Sequence, residues 1–227
     1  MKLKILALTL IFAFITTLTG CASSSAELAY RLTAGIIALD WSEGLYTVSL
    51  VCLDPRGAKQ GDEAELQYLA AQSVSLKEAL TKIEESTPQT VFYGHAAAII
   101  IGESALQEQL EELLVFFAED NRVRLNISVF ACEGEAAGFI RLKTPHKMSV
   151  VGTVQDLIED DGAGESFTKP FFSLCAGVLS HRAVTVPLIS ARPAELSSAK
   201  EEGDYFELIA DREIEIERSG GLMYNSN

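Results

Sequence analysis

The stretch Thr90–Ile101 is almost wholly apolar and rich in β-branched and aromatic residues. Such a run suits an interior strand whose two faces are both covered. It therefore constrains everything around it, because cover must come from amphipathic helices. The flanking sequence supplies them. Ser75-Leu76-Lys77-Glu78 is a capping box, in which the serine accepts from a free backbone N–H and the glutamate reaches back. Behind it Leu76, Ala79, Leu80 and Ile83 share one helical face. Ser104 to Gln107 reads as a second box. The helix it opens would bury Leu106, Leu110, Leu113, Leu114 and Phe117.

The remaining elements follow by pattern. Leu45–Val51 alternates with period two, Glu27–Asp40 is apolar and β-prone, and Trp41-Ser42-Glu43-Gly44 reads as the turn of a hairpin between them. Residues 55–63 read as a loop, and Ala64–Ser73 fits helix or strand. Leu125–Ala131 and Ala183–Ile189 are strands. Helices are expected at 133–142, 149–159 and 167–180. Tyr205–Ala210 and Glu213–Glu217 read as a terminal strand pair, with the alternating glutamates facing water on an edge. The predicted fold class is mixed α/β (α+β), a sheet with a buried central strand near 90–101 packed by amphipathic helices. Residues 21–217 form one domain or two subdomains, with the break then near 145–165. Residues 218–227 read as a frayed tail.

The N-terminus carries a targeting signal. Lys2 and Lys4 precede an uncharged apolar run, Ile5–Leu18, which closes on Leu18-Thr19-Gly20-Cys21. A positive start, a short apolar core and a small-residue exit define a secretory signal peptide over residues 1–20. The run is shorter than the roughly 20 residues a spanning helix needs. Leu-Thr-Gly-Cys resembles the bacterial lipobox. In that pathway Cys21 is the lipidation site: it takes a diacylglycerol and becomes the first residue of the mature chain. Two acyl chains, of the palmitate type, suffice for stable anchoring at about 0.8 kcal/mol per buried CH₂. Ala22–Ala26 then reads as a flexible tether.

Charge and chemistry narrow the function. The net charge of −14 becomes −16 once the two signal lysines are removed. Nucleic-acid binding by phosphate neutralisation is excluded. Adhesion to anionic lipid without the acyl anchor is excluded as well. Cys52, Cys132 and Cys175 are odd in number and lie in apolar stretches, so buried free thiols are favoured over a disulfide. His95, His146 and His181 have no partner at ligand spacing; His95, inside the apolar run, reads as a hydrogen-bonded core histidine and His146 as solvated. Asp160–Glu165 lacks calcium-loop spacing and reads as a surface loop. No nucleophile elbow, dinucleotide loop or P-loop is present. No catalytic residue, metal site or cofactor is predicted, apart from the covalent lipid on Cys21.

One ordered set of residues carries further information. Ser75–Ala79 opens a helix; Tyr93-Gly94-His95 and Ile99-Ile100-Ile101-Gly102-Glu103 follow; then come a leucine-rich helix, Arg122–Asn126 and Ala136. With the lipobox and Glu27-Leu28-Ala29…Gly35…Asp40, this order resembles the spore-germination lipoproteins of the Ger(x)C (GerAC) family. The resemblance runs over roughly residues 18–190 and, at its widest, on to 217, so that residues 21–217 read as the family's N-terminal region. It implies a non-enzymatic, membrane-anchored C subunit of a nutrient germinant receptor. The implied partners are the A- and B-type integral membrane subunits at the inner spore membrane, with any nutrient germinant bound indirectly. Two departures stand out. Ala22-Ser23 occupy the place where members often carry Trp-Asp, and the family's C-terminal domain is expected to be missing. The resemblance supplies no ligand contacts. Gly102 is expected to let the chain turn from strand to helix free of Cβ strain, and Glu103 to favour the helix start. A lipid-anchored small-solute binding module is the alternative, and an enzyme ranks last.

Overall fold

The computed structural model describes residues 30–56, 65–144, 149–159, 168–193, 205–216 and 222–225. Cys21 and its tether, His146, Asp160–Glu165 and most of the 55–63 loop lie outside them.

The chain opens with a hairpin. β1 (Arg31–Ser42) and β2 (Leu45–Asp54) pair from Thr33↔Leu53 to Ser42↔Leu45. Only Glu43 and Gly44 make the turn, with φ of 52° and 79°. Two positive φ values twist a two-residue loop in the sense the strands need. Trp41 and Ser42, read as turn, belong to β1. β3 (Glu65–Ser73) pairs antiparallel to β2, which decides the ambiguous segment for strand.

α1 (Leu76–Glu85) starts as expected: Ser75 Oγ accepts from the Glu78 N–H at 3.3 Å. The Glu78 carboxylate pairs with Lys82, 3.2 Å away, one turn on. Its apolar face buries the four predicted residues.

The Thr90–Ile101 run is not one strand. It forms β4 (Thr90–Phe92) and β5 (Ala98–Gly102), separated by a turn over Tyr93–Ala97 in which the Ala96 N–H donates to the Tyr93 carbonyl. Gly94 and His95 break the extended chain, and both pieces then pair parallel to β1. His95 consequently stands exposed, its ring 5.2 Å from that of Phe92, and is not a core histidine. The buried central strand is the shorter segment 98–102.

The next helix begins two residues earlier than the Ser104 box implies, and it breaks. α2 (Glu103–Glu108) has Gly102 at its cap with no side-chain bond, and Gln109 (φ −130°) separates it from α3 (Leu110–Glu119). All five predicted apolar residues are buried.

β6 (Ser128–Cys132) follows, then the single turn α4 (Ala136–Phe139) and α5 (Val150–Glu159). β7 (Lys169–Pro170), α6 (Phe171–Leu179) and β8 (Val184–Pro193) complete the central unit. The terminal strand pair is in fact one continuous strand, β9 (Phe206–Ile216). Its partner on the outer side is β10 (Leu222–Asn225), which lies within the segment read as a tail. β9 is therefore interior; Ile214 and Ile216 are buried, while Glu213 and Glu215 between them stay half-exposed.

Among the described residues ten strands form one mixed sheet, eight of them in the order β10-β9-β8-β6-β5-β1-β2-β3 with β4 beside β1 and β7 beside β6; with six helices this is the α+β class expected from sequence. β1, β5, β6 and β8 run parallel at its centre; the flanks are antiparallel. Ile99 and Ile101 point into the core under α1, α3 and α6, and Ile100 points into the core under α4 and α5. Each such side chain taken fully from water stabilises the fold by roughly 1.5–3 kcal/mol. Both faces are thus covered, the condition the apolar run imposes.

Candidate functional site

In open α/β sheets, sites lie beyond the carboxyl ends of the parallel strands. In this chain that edge collects Asp40 from β1, Gly102 from β5 and the Cys132–Ala136 segment after β6. These include the residues that carry the sequence resemblance, drawn from places almost a hundred residues apart.

Asp40 organises them. Its carboxylate is buried. Oδ1 accepts from the Ala136 N–H at 2.7 Å and Oδ2 from the Ala137 N–H at 2.8 Å. Those are orphan donors at the start of α4, so a carboxylate from another strand caps this helix. Burial raises the Asp40 pKa above its ordinary 3.8; the two N–H donors oppose the rise, and the Glu135 charge adds to it. The Glu103 N–H donates to the Gly134 carbonyl at 3.0 Å, which joins the β5–α2 and β6–α4 turns. Gly134 has φ of +73°, a conformation that favours glycine.

Gly102 is needed here for a reason other than backbone freedom. Its φ is −67°, open to any residue. A Cβ at this position would overlap Asp40 Oδ1 and lie 3.0 Å from the Gly134 carbonyl oxygen. Glu103 does sit in the first turn of α2. Two side-chain bonds close the same edge: Trp41 Nε1 donates to Glu108 at 3.0 Å, and the Tyr46 hydroxyl to Gln109 at 2.8 Å.

The position where a ligand would ordinarily sit is thus filled by the chain's own hydrogen bonds. What remains beside it is an open cleft of about 510 Å³ between α4 and β8, bordered by Glu133, Glu135 and Phe139 on one side and Ser190 on the other. A second cleft of about 220 Å³ lies between the α2–α3 junction and the α6–β8 turn, where His181 and Arg182 sit.

Among the described residues the titratable side chains singled out in the sequence stay apart. His95 and His181 are exposed in separate turns. Cys52, Cys132 and Cys175 are buried free thiols, as expected. Burial pushes the Cys52 and Cys132 thiols up to about 12, so neither is a thiolate at neutral pH. Among the described residues, no three His, Cys, Asp or Glu side chains gather closely enough to hold a metal ion. No helix among them is long and apolar enough to cross a membrane.

The carboxyl-edge knot is what sequence reasoning missed. Asp40 is visible in the sequence only as a strand-end acid, and nothing local connects it to residue 136. The available signal is the pair of glycines, Gly102 and Gly134, each directly beyond an apolar strand. A close approach of backbones is one of the few reasons for glycine there.

The family model described as "Spore germination protein N-terminal domain" matches residues 24–191. The chain belongs to this family of spore germination proteins. No curated protein and no solved structure matches it.

Proposed function

We propose that the chain is the C-type lipoprotein subunit of a nutrient germinant receptor. Diacylglycerol on Cys21 holds it at the extracytoplasmic face of the inner spore membrane, and it acts without catalysis, through contacts with the A- and B-type integral membrane subunits. The observation that carries this reading is the germination-domain match, which starts three residues after Leu18-Thr19-Gly20-Cys21. A tethered domain needs only modest affinity, because the anchor raises its effective concentration beside membrane partners. The knot around Asp40 supports a scaffold role by making the domain rigid.

The test is a Cys21→Ala substitution in sporulating cells. Release of the protein to the soluble fraction, loss of co-purification with the membrane subunits and slowed nutrient germination are expected. Unchanged membrane attachment would overturn the lipid reading; a normal germination response after deletion of the whole gene would overturn the receptor reading.

A second reading, a lipid-anchored small-solute binding module, has one observation in its favour. The Ser190 hydroxyl beside the 510 Å³ cleft is buried without a hydrogen-bond partner, and the volume falls within the usual range for ligand pockets. Titration calorimetry with amino acids and sugars separates the readings. Micromolar binding abolished by Ser190→Ala would favour the module.

A further inference from the structure

Eight large apolar side chains among the described residues are exposed, and four of them crowd one edge of the molecule. These are Tyr30 (66 % exposed), Phe92 (37 %), Leu125 (53 %) and Phe172 (54 %). The other four are dispersed over β3, the start of α1, α3 and the end of α6. The crowded edge is the one at which the parallel strands begin.

Backbone contacts order the four along it. The Thr90 N–H donates to the Tyr30 carbonyl at 3.1 Å, which seats β4 and Phe92 beside the start of β1. Phe92 packs on His95 in the turn before β5. Arg124 reaches the Ala96 carbonyl of that turn at 3.4 Å, which brings Leu125 alongside. The Phe172 N–H donates to the Leu125 carbonyl at 2.9 Å. Arg31 and Arg124 stand in this row, and no ion pair among the described residues involves either. By contrast Asp54, Glu84 and Asp120 at the same edge are paired with Arg56 and Arg122. Aromatic side chains with arginines between them match the polarity of the headgroup layer of a bilayer.

Chain length fixes which edge can reach that layer. Eight residues, 22–29, separate Cys21 from Tyr30 at the start of the exposed row, and fully extended the link from Cys21 to Tyr30 spans about 30 Å. From Tyr30 to Trp41 at the far edge, β1 covers about 35 Å. An inverted molecule, with the carboxyl edge on the bilayer, would need a tether longer than the chain provides. Resting on the proposal that Cys21 carries the lipid, we infer that the row Tyr30–Phe92–Leu125–Phe172 is a second membrane contact. It seats the amino edge of the sheet on the lipid surface itself.

The experiment uses the full-length lipidated protein in protein-free vesicles of phosphatidylcholine and phosphatidylglycerol carrying brominated acyl chains. Trp41 is the single tryptophan and reports on the far edge in the native protein. Phe172→Trp and Leu125→Trp, each in a Trp41→Phe background, report on the row. Both positions are half-exposed or more, and thermal melting verifies that each variant folds. Loss of at least half the emission at 172 and 125, with Trp41 unquenched, is the expected result. Vesicle-bound protein with no quenching at either row position overturns the inference and leaves the anchor standing, and a protein partner would then be the occupant of the row. Equal quenching at Trp41 also overturns it. Failure of the lipidated protein to sediment with vesicles sinks the anchor reading itself.

Discussion

The two edges of the parallel strands are built on opposite plans. At the carboxyl edge the segments that follow β1, β5 and β6 are tied to one another: Asp40 caps α4, Glu103 bonds to Gly134, and Trp41 and Tyr46 reach the α2–α3 junction. At the amino edge the turns leave Tyr30, Leu125 and Phe172 more than half exposed. The first plan contributes stability and closes the usual ligand position. The second sacrifices some solubility and offers surface. One end of the sheet is thus tied together and the other left unsatisfied.

Substitutions at the two edges should therefore part company sharply. The largest effect is expected at Gly102. A methyl there meets the Asp40 carboxylate and the Gly134 carbonyl, and neither can withdraw without breaking a helix cap. Gly102→Ala should cost about 3 kcal/mol, given the usual range for overpacking against fixed groups. Urea denaturation would measure it, and a loss below 1 kcal/mol would show that the knot is slack.

Asp40→Asn comes next. It keeps one acceptor but turns an NH₂ group toward the second backbone donor, so about 2 kcal/mol should be lost. The pH dependence has a definite sign. The folded pKa of Asp40 lies above its ordinary 3.8, so the native state binds the proton more tightly than the unfolded chain. Stability from this residue thus increases as pH falls through the folded pKa toward 3.8, and the asparagine variant has no such gain. The gap between the native protein and Asp40→Asn should widen in the native protein's favour between pH 7 and about pH 4. Urea midpoints at several pH values would check it; a narrowing gap would contradict the assigned shift.

The smallest stability effect is expected at the amino edge. Phe172→Ser removes an exposed ring and should change stability by less than about 0.5 kcal/mol. A large drop in melting temperature would mean that the edge is structural after all, and the contrast between the two ends would fail.

Legibility in the sequence followed the range of the interactions. Local patterns were readable: the Ser75 cap, the five buried positions of α2 and α3, the Leu45–Val51 alternation. Each depends on residues within a turn or two of one another. The apolar character of Thr90–Ile101 was also readable, yet composition concealed the Tyr93–Ala97 turn, because alanines serve a turn as well as a strand. The clue is Gly94-His95, which interrupts the β-branched and aromatic run where the chain turns. At Tyr205–Glu217 the reverse happened: Asp211-Arg212 look like a turn, but β8 pairs with the chain on both sides of them and takes up the irregularity as a register shift between Leu188 and Ser190. The Asp40 knot spans 96 residues, and no periodicity reports on contacts at that separation.

The placement of β1 has a mechanical consequence. It is the first strand among the described residues, and it is hydrogen-bonded along both sides, to β2 on one and to β4 and β5 on the other. Tension transmitted from a membrane anchor would pull β1 lengthwise, so its ladders would be loaded together in shear instead of being unzipped one rung at a time. Its far end is pinned by Asp40. On the proposal that Cys21 carries the lipid, the strand nearest the anchor is thereby the one best placed to carry a pulling force into the centre of the domain.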